Sequence, residues 1–219
     1  MKTAMILAAG RGERLKPLTE KIPKALCLVQ GKPLIEHHVL NLAKAGFERI
    51  VINHAYLGGK IRQYLGNGSR YGVEICYSPE TPGGLETGGG IVKALPLLGK
   101  DSFVTVNGDI YTDFDFSSID PAHNEFLTMI LVKNNPGLLH HGDFGLSPNH
   151  TLTNTNLDYT FAGIACYQPE IFSGCQQGRY SVTPLIRQLV AENKVLGRLH
   201  SGFWFDIGSQ ERLEAANCV

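Results

Sequence analysis

Hydrophobic positions in this chain fall into short apolar runs separated by amphipathic stretches of helical length. Lys2 to Leu7 predicts a strand. Pro33 to Ala45 predicts a helix, with proline suited to its first turn, Leu34, Ile35, Leu42 and Ala45 on one apolar face, and Gly46 as its stop. Arg49 to Asn53 predicts a short buried strand and Leu57 to Leu65 a helix ended by Gly66; Val73 to Tyr77 follows as a strand. Leu85 to Leu97 opens among glycines and predicts a helix that Pro96 ends. Phe103 to Val106 and Leu127 to Val132 predict two more strands. This order predicts an α/β fold, a mostly parallel sheet with helices on both faces. Ligands of such sheets collect at the carboxyl ends of the strands. Gly10, Asn107 and Asp109 each stand just past a strand end and are expected to face one crevice.

Between Asn134 and Asp158 the periodicity gives way to Pro136, Gly137, Gly142, Gly145 and Pro148, which predict loops or short hairpins. Phe161 to Tyr167 predicts a strand, Val182 to Glu192 a helix with Pro184 in its first turn, and Val195 to Leu199 and Phe203 to Ile207 late strands. Ser209 is a natural N-cap for a last helix over Gln210 to Ala216. No linker divides the 219 residues, so residues 1–219 are expected to form one domain.

Charge changes this picture only locally. Lys and Arg total 20, as do Asp and Glu, which argues against a nucleic-acid or membrane-surface partner. Residues 11–32 depart from that balance: Arg11, Arg14, Lys16, Lys21, Lys24 and Lys32 stand against Glu13 and Glu20, a local charge of +4. This basic stretch begins in the glycine turn Gly10-Arg11-Gly12, where the backbone can approach a ligand and successive N–H groups make an anion cradle. Arg14 offers forked donors and Lys24 a mobile point charge, a combination suited to a nucleoside triphosphate. The competing reading is an ordinary βα turn with a solvated basic flank. A dinucleotide fingerprint is excluded because Leu15 stands where its third glycine belongs. A Walker loop is excluded because Glu13-Arg14 replaces Lys-Ser/Thr after the glycine. Five cysteines without CxxC spacing suggest reduced thiols. No stretch reaches the ~20 apolar residues of a membrane span, and the first apolar run is too short for a signal peptide. A cytoplasmic location is the expectation.

Two carboxylates carry candidate metal chemistry. Asp109 follows a buried strand and Gly108, well placed to hold a hard cation. Asp206 sits within Phe203-Trp204-Phe205-Asp206-Ile207-Gly208 and needs a partner, because burying an unpaired carboxylate is costly. Each alone is also compatible with a capping role. The second glycine loop, Thr81 to Gly90, opens a helix; its backbone could lie against a flat base, or it could be a flexible connector. His37-His38 and His140-His141 lack zinc spacing and are expected at the surface or in packing. Asp113-Phe114-Asp115 offers a DxD pattern, with Asp115 expected to cap a short helix at Phe116 to Ile119. Phe203, Trp204 and Phe205 are expected in the core.

The run Leu7 to Thr19, continued by Pro23-Lys24-Ala25-Leu26 and Gly31 to His37, closely resembles the signature of the sugar-1-phosphate nucleotidyltransferases. The likeness extends through Glu86 to Gly90, Asn107-Gly108-Asp109 and Phe205 to Gly208, across essentially the whole chain. Ile52 to Ala55, Lys93 to Gly99 and Gly142 to Phe144 make it most similar to the short single-domain branch of peptidoglycan recycling. The resemblance implies a Rossmann-like fold of the nucleotide-diphospho-sugar transferase type. It implies transfer of a nucleotidyl group from an NTP to a sugar 1-phosphate with Mg²⁺, most simply from UTP to N-acetylmuramate 1-phosphate. By the same resemblance Gly10, Gly12, Glu13 and Arg14 would cradle the triphosphate, and Lys24 would hold the attacking and α-phosphates. Ala9, Glu80, Glu86 and Gly88 would read base and ribose, with Leu7 and Asn107 in the same nucleotide site. Arg14, Lys24, Asp109 and Asp206 would be catalytic, the two aspartates as Mg²⁺ ligands. Gly142, Asp143 and Gly163 would touch the sugar.

Two departures stand out. The Glu-Lys-Pro sugar-binding segment of longer members is missing, replaced by the polar Thr151 to Asp158, and the C-terminal β-helix of bifunctional members is absent. The residues leave base and sugar open. Guanylyl transfer to mannose 1-phosphate keeps the chemistry, as does cytidylyl transfer to phosphocholine, although residues 134–167 show no clear aromatic cage, Tyr159 and Phe161 being the only closely spaced aromatics there. A glycosyltransferase resting on Asp113 and Asp115, or a non-catalytic nucleotide-binding subunit, are more distant alternatives.

Overall fold

The apolar runs assemble side by side in one central sheet. The computed structural model describes residues 2–119, 126–133 and 142–218. In chain order its first half contains β1 (Thr3–Leu7), α1 (Leu18–Lys21), β2 (Leu28–Val29), β3 (Lys32–Pro33), α2 (Leu34–Lys44), β4 (Arg49–His54), α3 (Gly58–Leu65), β5 (Glu74–Pro79) and α4 (Glu86–Leu98). The second half contains β6 (Phe103–Asn107), β7 (Ile110–Thr112), β8 (Leu127–Lys133), β9 (Gly145–Leu146), β10 (Leu152–Thr153), β11 (Tyr159–Tyr167), α5 (Thr183–Ala191), β12 (Val195–Leu199), β13 (Trp204–Asp206) and α6 (Gln210–Ala216).

Seven strands among the described residues form the central sheet, in the order β12-β8-β11-β6-β1-β4-β5. All neighbours run parallel except β11, which is antiparallel to both β6 and β8. The sheet is therefore mostly parallel, as its apolar runs predict. Because successive side chains alternate across a strand, each central strand feeds two cores. Ile6, Ile50, Ile52 and Val104 face Val39 and Leu42 of α2 and Ile61 and Leu65 of α3. Met5, Val51 and Phe103 face Ile91 and Leu98 of α4 and Ile186 and Leu189 of α5. Helices thus cover both faces.

The chain places β4 and β5 on one side of β1 and β6 on the other. The carboxyl ends of β1 and β6 therefore flank a topological switch point, where a crevice opens. A third apolar cluster closes this end: Leu15, Cys27, Val29 and Leu34 pack with Ile207 and Ala216. It docks α6 onto the basic stretch after β1. Backbone and side-chain bonds between Gln30 and Asn217 reinforce the contact.

Several boundaries differ from expectation. Pro96 does not end α4, which continues to Leu98. Proline there removes only one amide donor in the last turn, and Gly99 N–H closes the helix onto the Leu95 carbonyl at 3.2 Å. The helix expected from Pro33 starts at Leu34, because Pro33 is taken into a two-residue ribbon with Leu28. The late strand expected over Phe203 to Ile207 is shorter and pairs with β7 apart from the main sheet. β11 begins at Tyr159 rather than Phe161, and its register to β8 shifts between Phe161 and Ala165. Ser209 caps α6 as expected, accepting from Arg212 N–H. In the irregular region, β9 and β10 form a small hairpin. His140 and His141, and the loop expectation for residues 134–141, lie outside the described residues.

Candidate active site

The turn after β1 enters the crevice through Gly10, whose Cα faces open space: a Cβ there would meet nothing within 4 Å. Gly12 is required for a different reason. Its φ is +67°, and a Cβ would sit 2.9 Å from Thr19 Cγ2 and 3.0 Å from Lys24 Cβ. Thr19 Oγ1 also donates to the Gly12 carbonyl at 2.8 Å. Gly12 thus sets the path of the stretch that delivers Lys24. Arg14 is exposed, with its guanidinium beside Gly208, so this glycine at the end of the Asp206 segment clears room for it. Glu13 is occupied by Arg11 and Lys16, and its bond to Lys16 holds its carboxyl below the usual range.

Lys24 is almost buried, yet its ammonium reaches Asp109 Oδ2 at 2.6 Å. Gly108 permits this approach: its N–H bonds the Leu7 carbonyl at 2.9 Å, and a Cβ would press on that same oxygen. Asp206 lies across from Ile110 in the β13–β7 ribbon, and Ile207 N–H donates to the Asp109 carbonyl at 2.8 Å. The two aspartates proposed as metal ligands are therefore neighbours across one ribbon. Asp206 accepts from Arg212 at 2.7 Å. Among the described residues no cluster of three or more metal-binding side chains exists, so a metal held here would draw its remaining ligands from elsewhere.

A polar chain braces the opposite wall. Ala8 N–H donates to Asn53 Oδ1 at 2.9 Å, Asn53 Nδ2 donates to Glu80 Oε1 at 2.7 Å, and Leu85 N–H donates to Glu80 Oε2 at 2.6 Å. The carboxylate of Glu80 is committed to this brace, joining β1, β4 and the loop before α4. Gly88, Gly89 and Gly90 serve helix packing. A Cβ on Gly88 would strike the Tyr180 ring at 2.7 Å, on Gly89 the Gly178 carbonyl at 1.9 Å, and on Gly90 Glu80 Oε1 at 2.7 Å. The second glycine loop is thus neither a simple connector nor wholly a base platform. Gly83, Gly84, Glu86 and Thr87 face the crevice, while Gly88 is buried behind it.

Two cavities result. The first encloses about 390 Å³ and is lined by Leu7, Ala9, Gly10, Arg11, Asn53, Gly83, Gly84, Glu86, Thr87, Asn107, Asp109 and Arg179. This brings Gly10, Asn107 and Asp109 to one crevice, as their positions past strand ends predict. Lys24 stands at a small adjoining pocket with Leu7, Gly10 and Asp109. The second cavity, about 220 Å³, shares Leu7, Thr87 and Asn107 with the first and continues to Asp143, Phe144, Phe161, Val182, Thr183, Ile186 and Arg187. Asp143 is thus on its wall, its Oδ2 accepting from Phe161 N–H at 2.9 Å. Gly142 and Gly163 line neither cavity. Gly142 packs on Tyr159, while Gly163, with φ +77°, leaves room for the Asn107 side chain, which a Cβ would meet at 2.8 Å.

Asn53, Thr87, Arg179, Thr183 and Arg187 line these cavities without being expected there from the sequence. Asn53 carried a legible signal, a polar residue ending an apolar strand. Arg179 and Arg187 come from the loop before α5 and from α5 itself, far along the chain, and carried none. The remaining candidates have structural partners. Asp115 caps the short helix Phe116–Ser118, and Asp113 pairs with His200 at 3.1 Å. His37 bonds the Val29 carbonyl at 2.8 Å. His38 is buried and its imidazole is pushed down to about 4 by desolvation. Trp204 packs partly buried against the core with its indole N–H on the Ala162 carbonyl.

The sequence profile of the nucleotidyl transferase family matches residues 3–134, which include the basic turn and Asp109. The chain belongs to that family. This nucleotidyltransferase is 47% identical to the N-acetylmuramate alpha-1-phosphate uridylyltransferase of Neisseria meningitidis serogroup B, over 99% of the chain and 97% of the relative. It is 32% identical to the protein of the same name from Caulobacter vibrioides, over 98% and 95%. Its fold superposes on HddC from Yersinia pseudotuberculosis with a TM-score of 0.82 at 21% identity, covering 99% of this chain and 98% of that one. No described helix is long and apolar enough to cross a membrane.

Proposed function

We propose that this nucleotidyltransferase moves the uridylyl group of UTP onto N-acetylmuramate α-1-phosphate, forming the UDP-sugar and releasing pyrophosphate. One observation carries the chemistry: two cavities meet at a common wall of Leu7, Thr87 and Asn107, and Lys24 stands beside that junction. Two substrates seated in them would meet at the nucleotide's α-phosphate. The choice of substrates is supported by the near full-length likeness to two proteins of that name.

In this reading the first cavity takes the nucleotide. Gly83, Gly84 and Glu86 flank base and ribose, Gly10 opens its backbone to the phosphates, and Arg14 meets the pyrophosphate. The second cavity takes the sugar, with Asp143 among its polar contacts. The nucleophile is a phosphate oxygen, already anionic at neutral pH, so no general base is needed. It attacks the α-phosphorus in line as the bond to the β-phosphate oxygen breaks and pyrophosphate leaves. What the protein contributes is alignment of two mutually repelling anions and stabilisation of charge on the leaving group. Lys24 bridges the attacking and α-phosphates.

Asp109, in the turn just before β7, and Asp206, at the end of the paired strand β13, are hard oxygen donors that fit Mg²⁺ when phosphates complete its shell. Bound there, the ion would neutralise phosphate charge. A cytoplasmic location accords with the use of UTP and with five cysteines outside any disulfide. The test is product analysis. UTP and N-acetylmuramate 1-phosphate with Mg²⁺ are expected to yield UDP-N-acetylmuramate and pyrophosphate in equal amounts. Failure to form the UDP-sugar would contradict the reading.

A further inference from the structure

Arg187 differs from the cations of the site that are held in ion pairs. Lys24 is paired with Asp109, Arg179 with Glu86 and Arg11 with Glu13. Among the described residues Arg187 has no carboxylate partner. Its Nη1 donates to the Asp143 backbone carbonyl at 2.7 Å and to Asn154 Oδ1 at 3.0 Å, and its guanidinium lies 4.2 Å over the Phe144 ring. Asn154 Nδ2 in turn donates to the Arg187 carbonyl at 3.1 Å. All these partners are neutral. They fix the direction of the guanidinium and leave it without an ion-pair partner within 4 Å among the described residues, on the wall of the second cavity, which the Asp143 carboxylate also lines.

Its place in that cavity matters. Arg187 belongs to the part that the first cavity does not share, away from the common wall where the sugar's phosphate must meet the nucleotide. An anion held by Arg187 would therefore be a group other than the reacting phosphate. N-acetylmuramate differs from N-acetylglucosamine by one ether-linked lactyl group, which adds a carboxylate and a methyl. A guanidinium fixed in a fork matches a carboxylate in two-point geometry. Val182 and Ile186, in the same wall, provide apolar surface for the methyl.

We propose that Arg187 binds the lactyl carboxylate of the acceptor and so distinguishes N-acetylmuramate 1-phosphate from N-acetylglucosamine 1-phosphate. This rests on the substrate reading given above. Asn154, from the polar segment that stands where longer relatives have Glu-Lys-Pro, is then a positioning residue for Arg187.

The test compares the two sugar phosphates on the full-length enzyme with UTP. N-acetylglucosamine 1-phosphate is measured as alternative substrate or, failing turnover, as competitive inhibitor. Arg187→Gln keeps a donor for the Asp143 carbonyl but removes the charge. It is expected to lower the preference for the muramyl substrate about 10- to 100-fold, the worth of one hydrogen bond to a charged group. Arg187→Lys is expected to recover part of that preference. A ratio unchanged in Arg187→Gln, whether both sugars weaken together or neither does, would overturn the proposal and leave Arg187 a prop for Asp143 and Phe144. Wild-type enzyme that does not turn over N-acetylmuramate 1-phosphate would instead overturn the substrate reading on which it rests.

Discussion

Lys24 Nζ lies 2.6 Å from Asp109 Oδ2, tying the basic stretch after β1 to the turn after β6. The two residues are 85 positions apart, and Gly12 and Gly108 supply the close backbone approaches that let them meet. In the free enzyme each neutralises the other. In the proposed reaction the aspartate would turn to the metal and the lysine to the phosphates once substrates and Mg²⁺ were bound, so both charges would be in place before either was used.

The first prediction follows from that pair. Lys24→Ala is expected to lower the turnover rate about 10²- to 10³-fold, the usual cost of removing one donor that stabilises developing charge. Circular dichroism should show an intact fold, because the Asp109 carboxylate left behind is exposed enough to be solvated. Near-normal turnover in steady-state assays would contradict the role of Lys24.

The brace through Glu80 predicts a mixed effect. Glu80→Ala leaves Asn53 Nδ2 and Leu85 N–H without their acceptors. A loss of about 1–3 kcal/mol in urea unfolding is expected, the penalty of stranded polar groups. Because the same brace holds the loop that would flank the nucleotide in the proposed reading, the UTP KM should rise as well. A raised KM with unchanged stability would instead make Glu80 a direct ligand.

Two glycine substitutions separate binding from packing. Gly10→Ala adds a methyl that meets no protein atom within 4 Å, so stability should hold while the UTP KM rises. Gly89→Ala pushes a methyl to 1.9 Å from the Gly178 carbonyl, and overpacking of this kind typically costs about 1–3 kcal/mol. Thermal melts paired with steady-state kinetics on both variants check the contrast.

These contrasts show how far the residues alone could be read. The parallel strands and the crevice were legible because Met5, Val51 and Phe103 alternate with neighbours that face the other core, a local pattern. Gly10, Asn107 and Asp109 were legible because strand ends in such sheets converge. The glycines of α4 were not, since what excludes a side chain at Gly89 is a carbonyl 89 residues further on. Arg187 was invisible for the same reason: on an amphipathic helix it reads as one more solvated cation. Pro96 misled because its cost depends on how many turns follow it.

The buried His38 makes stability depend on pH. Burial depresses its folded-state pKa to about 4, against 6.5 for the free group, so the folded form stays neutral where the unfolded chain takes up a proton. Its contribution is complete above pH 6.5 and is lost as pH falls toward 4. Between pH 7.5 and 5 it should cost about 2 kcal/mol. His54 shifts in the same direction through burial. Urea unfolding of His38→Gln should therefore show a smaller loss over that interval, though not none. An equal loss in wild type and variant would contradict the assignment.

The most direct test of the central claim is pyrophosphate release with Mg²⁺ across UTP, GTP, CTP and dTTP. Each is paired with N-acetylmuramate 1-phosphate, N-acetylglucosamine 1-phosphate, mannose 1-phosphate or phosphocholine. UTP with N-acetylmuramate 1-phosphate is predicted to give the highest kcat/KM. A higher value for any other pair, or no pyrophosphate from this one, would contradict the account.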